Sequence, residues 1–342
     1  MIRRGLALAL LLAACNGQPA IAPTPSTTLP PASAPPTAAP PTAIAGRSAS
    51  PSPPTEPIVL PSVADLSAPS GTVVWALVAG KRLFRSTDRG DSWTERALPA
   101  PLTNTDIAFI SESEGWMGLA GAPGTQCQEQ AIQFAHTTDG AGTWQAVRPI
   151  GIAPAQCKED LVFTDAQHGF LSAWDPNGPP VIYRTRDGAT WAASKPLPDP
   201  PGFTTTSAGF ALRAGAVKAF GQALLVEAIG QAVGGQRRFV FISGDGGESW
   251  TFVTEAPDAD VPVVFATGSR WFQLSAGAMP KETTDSGATW HAFATDYTQA
   301  APIAPVIVFG DEQTGYATVR GGIKRTTDGG TRWVPIRTPG TS

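Results

Sequence analysis

Short apolar runs alternate with polar, glycine-rich turns along most of this chain, and a tryptophan usually follows the turn. Residues 181–183 and 239–242 are two such runs, and residues 144–147 and 333–336 are strand-like pieces that come after a turn. An apolar run, a tight turn and a second run predict a β-hairpin. No stretch keeps a helical period, and residues 211–223 are the only segment in which a helix is arguable.

The turns share a phrase that occurs six times. Three copies, which begin at Ser86, Ser243 and Thr283, read S/T-x-D-x-G-x-S/T-W, and three copies at 137–144, 185–191 and 326–333 are looser. Aspartate and glycine favour a tight turn, and the large apolar tryptophan anchors the next strand. The turn and anchor residues are Asp88, Gly90, Trp93, Asp139, Trp144, Asp187, Trp191, Asp245, Gly247, Trp250, Asp285, Gly287, Trp290, Asp328, Gly330 and Trp333.

The spacing of the phrase predicts the architecture. Its aspartates recur at steps of 40 to 58 residues, which indicates an array of supersecondary units. A second phrase, F-x5-G followed by an aromatic residue, begins at Phe109, Phe163 and Phe309 and predicts a further hairpin in each unit. Residues 62–342 are therefore predicted to form an all-β propeller of four-stranded antiparallel blades. Six blades is the leading count. Seven is the alternative, because the unit near 205–255 is longer and lacks the second phrase.

The repeated phrase resembles the Asp-box, or bacterial neuraminidase repeat, over roughly residues 65–340. The resemblance implies a structural turn between the two outer strands of each blade, away from the binding face. Both phrases together, with 327–330 as the best copy, are similar to the photosystem II assembly and stability factor family and its bacterial relatives. Members of that family are small, often exported propellers that bind other proteins. The resemblance therefore implies a non-catalytic scaffold or assembly factor.

A targeting segment and a tether precede the predicted propeller. Arg3 and Arg4 come before an apolar run at 5–12, which is too short to span a bilayer. Residues 12–15 resemble a lipobox, which implies a lipoprotein signal over 1–15 and acylation of Cys15; an ordinary secretory signal is the alternative. Residues 16–61 are rich in Pro, Ala, Ser and Thr, so we expect a disordered tether. The expected location is extracytoplasmic, with the lipid as the membrane anchor.

Cys127 and Cys157 remain as a pair in an oxidising compartment. In a propeller, the loop between strands 2 and 3 shares a face with the link between blades, and the other two turns share the opposite face. Cys127 is expected in the 2–3 loop of the second unit and Cys157 in the link to the third. We therefore predict a disulfide, with two free thiols as the alternative. Closing this loop would stabilise the fold by roughly 3 kcal/mol.

The longer, irregular loops are expected on the face opposite the Asp-box turns, which we call the loop face. Variable loops on a rigid scaffold are where binding usually occurs, and loops that are merely tolerated are the alternative. The expected partner is a protein or an envelope component, bound by a monomeric propeller. The candidate binding residues are Gln128, Glu129, Glu159, Asp160, Asp175, Arg237, Arg238 and Tyr297.

No catalytic, cofactor or metal site is predicted. The sialidase motif F/Y-R-I-P is absent, and Tyr183 and Tyr316 lie in strand patterns that favour core packing. The three histidines lack metal-ligand spacing. A net charge of −4 argues against nucleic-acid binding. The alternative function is an extracytoplasmic glycoside hydrolase, sialidase-like or using loop carboxylates, or a glycan-binding module.

Overall fold

The structure, a computed structural model, describes residues 64–99, 105–120, 130–175, 178–205, 210–232, 234–274, 279–298, 306–319 and 322–336. These residues form six sheets, and each sheet has four strands that pair antiparallel in chain order. Each sheet is therefore one blade made of four consecutive strands.

The strands of the first three blades are β1 (Ala64–Ser67), β2 (Val74–Val78), β3 (Arg82–Ser86) and β4 (Thr94–Arg96); β5 (Thr105–Phe109), β6 (Gly115–Ala120), β7 (Ile132–Thr137) and β8 (Gln145–Val147); β9 (Cys157–Phe163), β10 (Gly169–Asp175), β11 (Gly178–Thr185) and β12 (Trp191–Ala193). The strands of the last three are β13 (Ala211–Phe220), β14 (Ala223–Ala232), β15 (Gly235–Ser243) and β16 (Thr251–Glu255); β17 (Val263–Phe265), β18 (Trp271–Gln273), β19 (Lys281–Thr283) and β20 (His291–Ala292); β21 (Ile307–Phe309), β22 (Gly315–Val319), β23 (Gly322–Thr326) and β24 (Val334–Ile336).

The first strands of the blades meet around a central axis. Strand β1 contacts β5, β5 contacts β9, β9 contacts β13, β17 contacts β21, and β21 returns to β1. The fourth and fifth blades are joined by a hydrogen bond of 2.8 Å from the Val263 N–H to the Glu227 carboxylate. The predicted propeller is confirmed, with six blades rather than seven.

In the second sequence phrase, the ring of the phenylalanine packs against the glycine on the next strand. Phe109 and Gly115 are register partners on β5 and β6, and a Cβ atom at Gly115 would overlap the Phe109 ring. The same relation holds for Phe163 with Gly169 and for Phe309 with Gly315. The glycine is therefore required so that the aromatic ring can lie flat on the neighbouring strand.

All six box aspartates lie in the turn between the third and fourth strands of a blade, as predicted. In the fourth blade, the Ser243 hydroxyl donates to Asp245 at 2.8 Å and accepts the Gly247 N–H at 2.9 Å. Asp245 also accepts the N–H and the hydroxyl of Ser249. Gly247 has a φ of 80°, which glycine adopts without strain. The box is thus a self-contained turn.

Hydrogen bonds to the box carboxylates favour their charged form. The Thr289 hydroxyl, followed by the Thr289 N–H, lowers the pKa of Asp285 to about 2. The Thr190 N–H lowers the pKa of Asp187 to about 2 in the same way. A carboxylate with a lowered pKa stabilises the fold above its unfolded pKa and loses that contribution as the pH falls. These turns are therefore stabilising at neutral pH.

We expect the isosteric variant Thr283→Val to lower the free energy of unfolding by about 1–2 kcal/mol. Thr283 is fully buried, and its hydroxyl donates to Asp285 at 2.7 Å and accepts the Gly287 N–H at 2.9 Å. Valine keeps the shape but leaves that N–H without an acceptor. Urea unfolding measures the difference, and Thr251→Val, on an exposed position of β16, is the control. Equal losses in both variants would contradict the role given to the box hydroxyl.

The two kinds of turn share a face, as predicted. In five blades the residue after the box aspartate donates its N–H to a carbonyl in the turn between strands 1 and 2 of the same blade. The pairs are Arg89–Thr72, Gly140–Ser113, Gly188–Gln167, Ser286–Ser269 and Gly329–Gln313, at 2.7 to 3.2 Å. Within the described residues, the fourth blade lacks this bond because only two residues separate its paired positions Phe220 and Ala223. The second phrase is likewise absent from that blade, as it is from the first and fifth blades.

The segment in which a helix was arguable is a strand. Residues 211–220 form β13, and the buried side chains of Leu212 and Ala214 alternate with the exposed Arg213. This period of two suits a half-buried strand, and hairpin pairing with β14 overrides the helix-forming alanines.

Two predicted segments fall outside the described residues, namely the signal with Cys15 and the tether at 16–61. No helix in the described part of the chain is both long enough and apolar enough to cross a membrane.

Candidate functional site

Four charged side chains gather where the first strands surround the axis. Asp65 lies on β1, Asp106 on β5, Asp160 on β9 and Lys218 on β13. Asp160 interacts electrostatically with Asp106 and Asp65, and Lys218 interacts with Asp65 and Asp160. All four side chains are half-buried. We call these four residues the central cluster.

Two of the aspartates tie neighbouring blades together. The Asp65 carboxylate accepts the N–H of Leu66 at 2.8 Å and, from the next blade, the N–H of Ile107 at 3.2 Å. The Asp106 carboxylate repeats the pattern one blade further on and accepts the Leu161 N–H at 3.2 Å. Both side chains therefore join the innermost strands of successive blades.

Burial among like charges disfavours ionisation of these carboxyls. Loss of hydration, followed by the charge of Asp106, raises the pKa of Asp65 to about 7. Loss of hydration, followed by the charges of Glu159 and Asp106, raises the pKa of Asp160 to about 8. Burial also lowers the pKa of the Lys218 ammonium. The centre of the ring is therefore a place where protons are held near neutral pH.

Asp160 has an unusual backbone. The pairing of β9 with β10 shifts between Phe170 and Ser172, so two residues of β9 face one residue of β10, and Asp160 adopts a φ of 59°. This is a β-bulge, which re-aims a side chain relative to its strand. Asp160 is the one acid of the cluster whose carboxyl accepts no hydrogen bond from the described residues.

The remaining charges near the axis are paired. Glu159 forms a bidentate ion pair with Arg213, and the Arg213 guanidinium lies 5.3 Å from the centroid of the Trp174 ring. Glu227 pairs with Arg238 at 3.0 Å. The two arginines are each committed to a glutamate instead of converging on an open position.

Of the candidate loop residues, Glu159, Asp160 and Arg238 lie within strands, and Tyr297 lies outside the strands but is buried. Glu159 and Asp160 were predicted in a link between blades, but both lie within β9. Arg238 is buried on β15, where it also donates to the Ala259 carbonyl. Tyr297 is buried and packs edge-on against Trp333 at 5.4 Å. The prediction that Arg238 and Tyr297 lie on the binding surface is therefore wrong, because each side chain fills space between two blades.

The other candidates are consistent with the loop face. Asp175 ends β10, and Arg237 lies near the start of β15, where it pairs with Glu255 at 2.8 Å. Gln128 and Glu129 fall outside the described residues, and so does Cys127. The disulfide with Cys157 stays a prediction.

Sequence reasoning missed Asp65, Asp106 and Lys218. A signal for the aspartates was present, since Asp followed by Leu or Ile occurs in the first strand of three successive blades. An aspartate inside an apolar strand needs a partner, and the next blade supplies it.

A cleft of about 470 Å³ opens at the loop-face end of the second blade. Its floor is formed by the start of β7 and the end of β8, and its wall by the link to the third blade. Ile150, on that link, is 65% exposed. The lining residues are Gln130, Ala131, Ile132, Gln133, Ala146, Val147, Arg148, Pro149, Ile152 and Pro154. The lining is mainly apolar, and Arg148 is its one charged member.

The described residues contain no group of three side chains that could hold a metal ion.

No family model matches this sequence, and no curated protein matches it. Solved structures do. A mutant of AofleA from Arthrobotrys oligospora is 14% identical, covers 80% of this chain and 87% of its own, and has a TM-score of 0.52. A Hadza microbial sialidase is 13% identical, covers 76% and 65%, and has a TM-score of 0.51. YCF48 bound to a D1 peptide is 17% identical, covers 79% and 95%, and has a TM-score of 0.44. At these identities the likeness is one of fold, and this chain is a six-bladed β-propeller with an Asp-box turn in every blade.

Proposed function

We propose that this protein is an exported, lipid-anchored scaffold that binds a protein or another envelope component through its loop face, without catalysis. The supporting observation is that most charged groups around the axis already hold the ring together. Asp65 and Asp106 bond the next blade, and Glu159 and Glu227 are paired with arginines. Few groups are left for acid–base chemistry. The anchor at Cys15 and the tether at 16–61 would hold the propeller near a membrane.

The cleft of the second blade is the best place on the described loop face for a partner to dock. A mainly apolar lining that includes polar residues and one arginine matches the composition of protein–protein interfaces, which have an apolar core and a polar rim. Asp-box turns occupy the opposite face, so a partner in the cleft would leave the ring contacts intact.

A comparison of two alanine variants tests this proposal. Ala146 lies on β8 in the cleft, and Ala193 lies two residues after the box tryptophan on β12, as Ala146 does on β8. Both alanines are exposed, so arginine at either position leaves the core unchanged. The full-length, anchored protein would be cross-linked in its own membranes, solubilised and purified. We expect a partner that the wild type and Ala193→Arg retain and that Ala146→Arg loses.

Two results would count against the scaffold. If all three proteins retained the same partner, the cleft would not be its binding site. The absence of any stoichiometric partner of the wild type, with the anchor intact, would remove the function itself.

A glycan-active enzyme is the second candidate, and Asp160 is the observation that favours it. A carboxyl with a pKa of about 8 is protonated at neutral pH and can donate a proton to a leaving group. Asparagine fits the same backbone conformation, because it tolerates positive φ. Breakdown of acidic or neutral polysaccharides by the wild type, lost in Asp160→Asn, would replace the scaffold proposal with an enzyme. No breakdown by either protein would leave the scaffold in place.

A further inference from the structure

The innermost seam of the first three blades is built from carboxyl groups. Asp65 reaches from β1 to the Ile107 N–H on β5, and Asp106 reaches from β5 to the Leu161 N–H on β9. Asp160 follows in the same series but accepts no hydrogen bond within the described residues. Three acids therefore lie in a row along the contacts that hold β1, β5 and β9 side by side.

The charges that face this row come from a small set of strands. Strand β9 contributes Glu159 beside Asp160, and β13 contributes Arg213 and Lys218. Arg213 is engaged by Glu159, and the Lys158 ammonium of β9 donates to the Gln130 carbonyl, which leaves Lys218 as the cation that interacts with Asp65 and Asp160. Strand β21, which packs against β1, carries no ionisable residue, and neither does β17. If all three acids ionised, three negative charges would face one ammonium.

The protonation state therefore changes the strength of the seam. A carboxyl whose pKa is raised in the folded state stabilises the fold fully below its unfolded pKa, and this contribution is lost as the pH rises through the folded value. For Asp65 and Asp160 the loss runs from about pH 4 up to about pH 7 and 8. The box aspartates have lowered pKa values and stay ionised throughout this range.

We infer that Asp65, Asp106 and Asp160 form a pH-sensitive latch, which holds the inner strands of the first three blades together in mild acid and loosens them in mild alkali. The device would let a propeller in the cell envelope change the rigidity of its central opening with external pH. The inference does not depend on the proposed partner.

Hydrogen exchange read by peptide tests the latch. Between pH 5.5 and 8.5, after correction for the intrinsic rate, we expect peptides that contain β5 and β9 to lose protection at least about tenfold more than those that contain β17 and β21. The melting temperature of the wild type should fall by roughly 5 °C over the same range. In Asp160→Asn both effects should shrink, because the last acid of the row can no longer ionise.

Lys218→Met provides a second variant with the opposite expectation. Removal of the ammonium leaves the row without its counter-charge, so the fall in melting temperature should grow. The histidines are unchanged in all three proteins, so differences between them report the central cluster. Equal loss of protection in all six blades, or the same pH dependence in wild type, Asp160→Asn and Lys218→Met, would overturn the latch.

Discussion

Replacing Gly310 by alanine should destabilise the propeller by about 3 kcal/mol. Gly310 lies in the turn after β21, where the last blade meets the first, and a Cβ atom there would overlap the carbonyl group of Ser70. The obstacle is main chain from another blade, so a side-chain rotation cannot relieve it. The ring would have to separate locally at this seam.

The position tolerates side chains elsewhere in the ring. Ile110, Thr164 and Ala266 follow the last phenylalanine of the first strand in the second, third and fifth blades, where Gly310 follows it in the sixth. Among these four equivalent positions, only the one at the seam between the sixth and first blades requires glycine. No strand is exchanged across that seam within the described residues, because each blade is built from four consecutive strands.

Side chains therefore close the ring. The Tyr316 hydroxyl donates to the Gly71 carbonyl at 3.2 Å, and Arg325 bonds the Arg89 carbonyl at 2.6 Å and Asp91 at 2.8 Å. These contacts are not covalent, so a backbone displacement of the size that Gly310→Ala demands would weaken all of them together. Because a single displacement weakens all of these contacts, we expect a large loss of stability.

Urea unfolding followed by tryptophan fluorescence measures the loss. Gly244→Ala is the matched control, because no atom lies within 4 Å of its added Cβ and four of the other boxes carry threonine at that position. The control should be as stable as the wild type. A Gly310→Ala protein with unchanged stability would show that the sixth and first blades are not in direct main-chain contact.

Reduction of the predicted Cys127–Cys157 disulfide should lower stability by roughly 3 kcal/mol. Cys157 is buried at the start of β9, and the next residue, Lys158, donates its N–H to the Gln130 side chain at 2.8 Å. The Lys158 ammonium also donates to the Gln130 carbonyl at 3.3 Å. The chain three residues after Cys127 is thus bonded to the residue after Cys157, which supports the pairing.

Peptide mapping after alkylation, with and without a reductant, identifies the bond. We expect both cysteines to be alkylated only after reduction, and the unfolding midpoint of the wild type to fall when a reductant is present. A Cys127→Ser, Cys157→Ser protein should be insensitive to the reductant. Alkylation of both thiols in the untreated, unfolded chain would establish the alternative of two free cysteines.

The sequence predicted the features that depend on nearby residues. A box turn is built from hydrogen bonds that span two to four residues, as between Ser243, Asp245 and Gly247. The turn can therefore be recognised from eight consecutive residues of the sequence. The glycine that follows Phe109 in the second phrase was found for the same reason, because the two residues pair across one short turn.

The candidate site was harder to predict. Asp160 was singled out, but as a residue of a link, because a bulge in β9 depends on how β10 pairs with it. Arg238 and Tyr297 resembled surface loop residues, and both are buried by contacts with parts of the chain that their local sequence does not reveal. Asp65 and Asp106 were missed because their acceptor bonds reach 42 and 55 residues ahead.

By itself, the sequence determined the four-stranded blade, the order of its strands and the turn that ends each third strand, since these follow from short-range bonds and a repeated period. It left the number of blades at six or seven. The tertiary structure alone decided which side chains meet at the axis and how the last blade closes on the first. The reason is physical: a ring brings together residues from separate blades, and the charges and close approaches at those seams exist only once the chain has returned to its start.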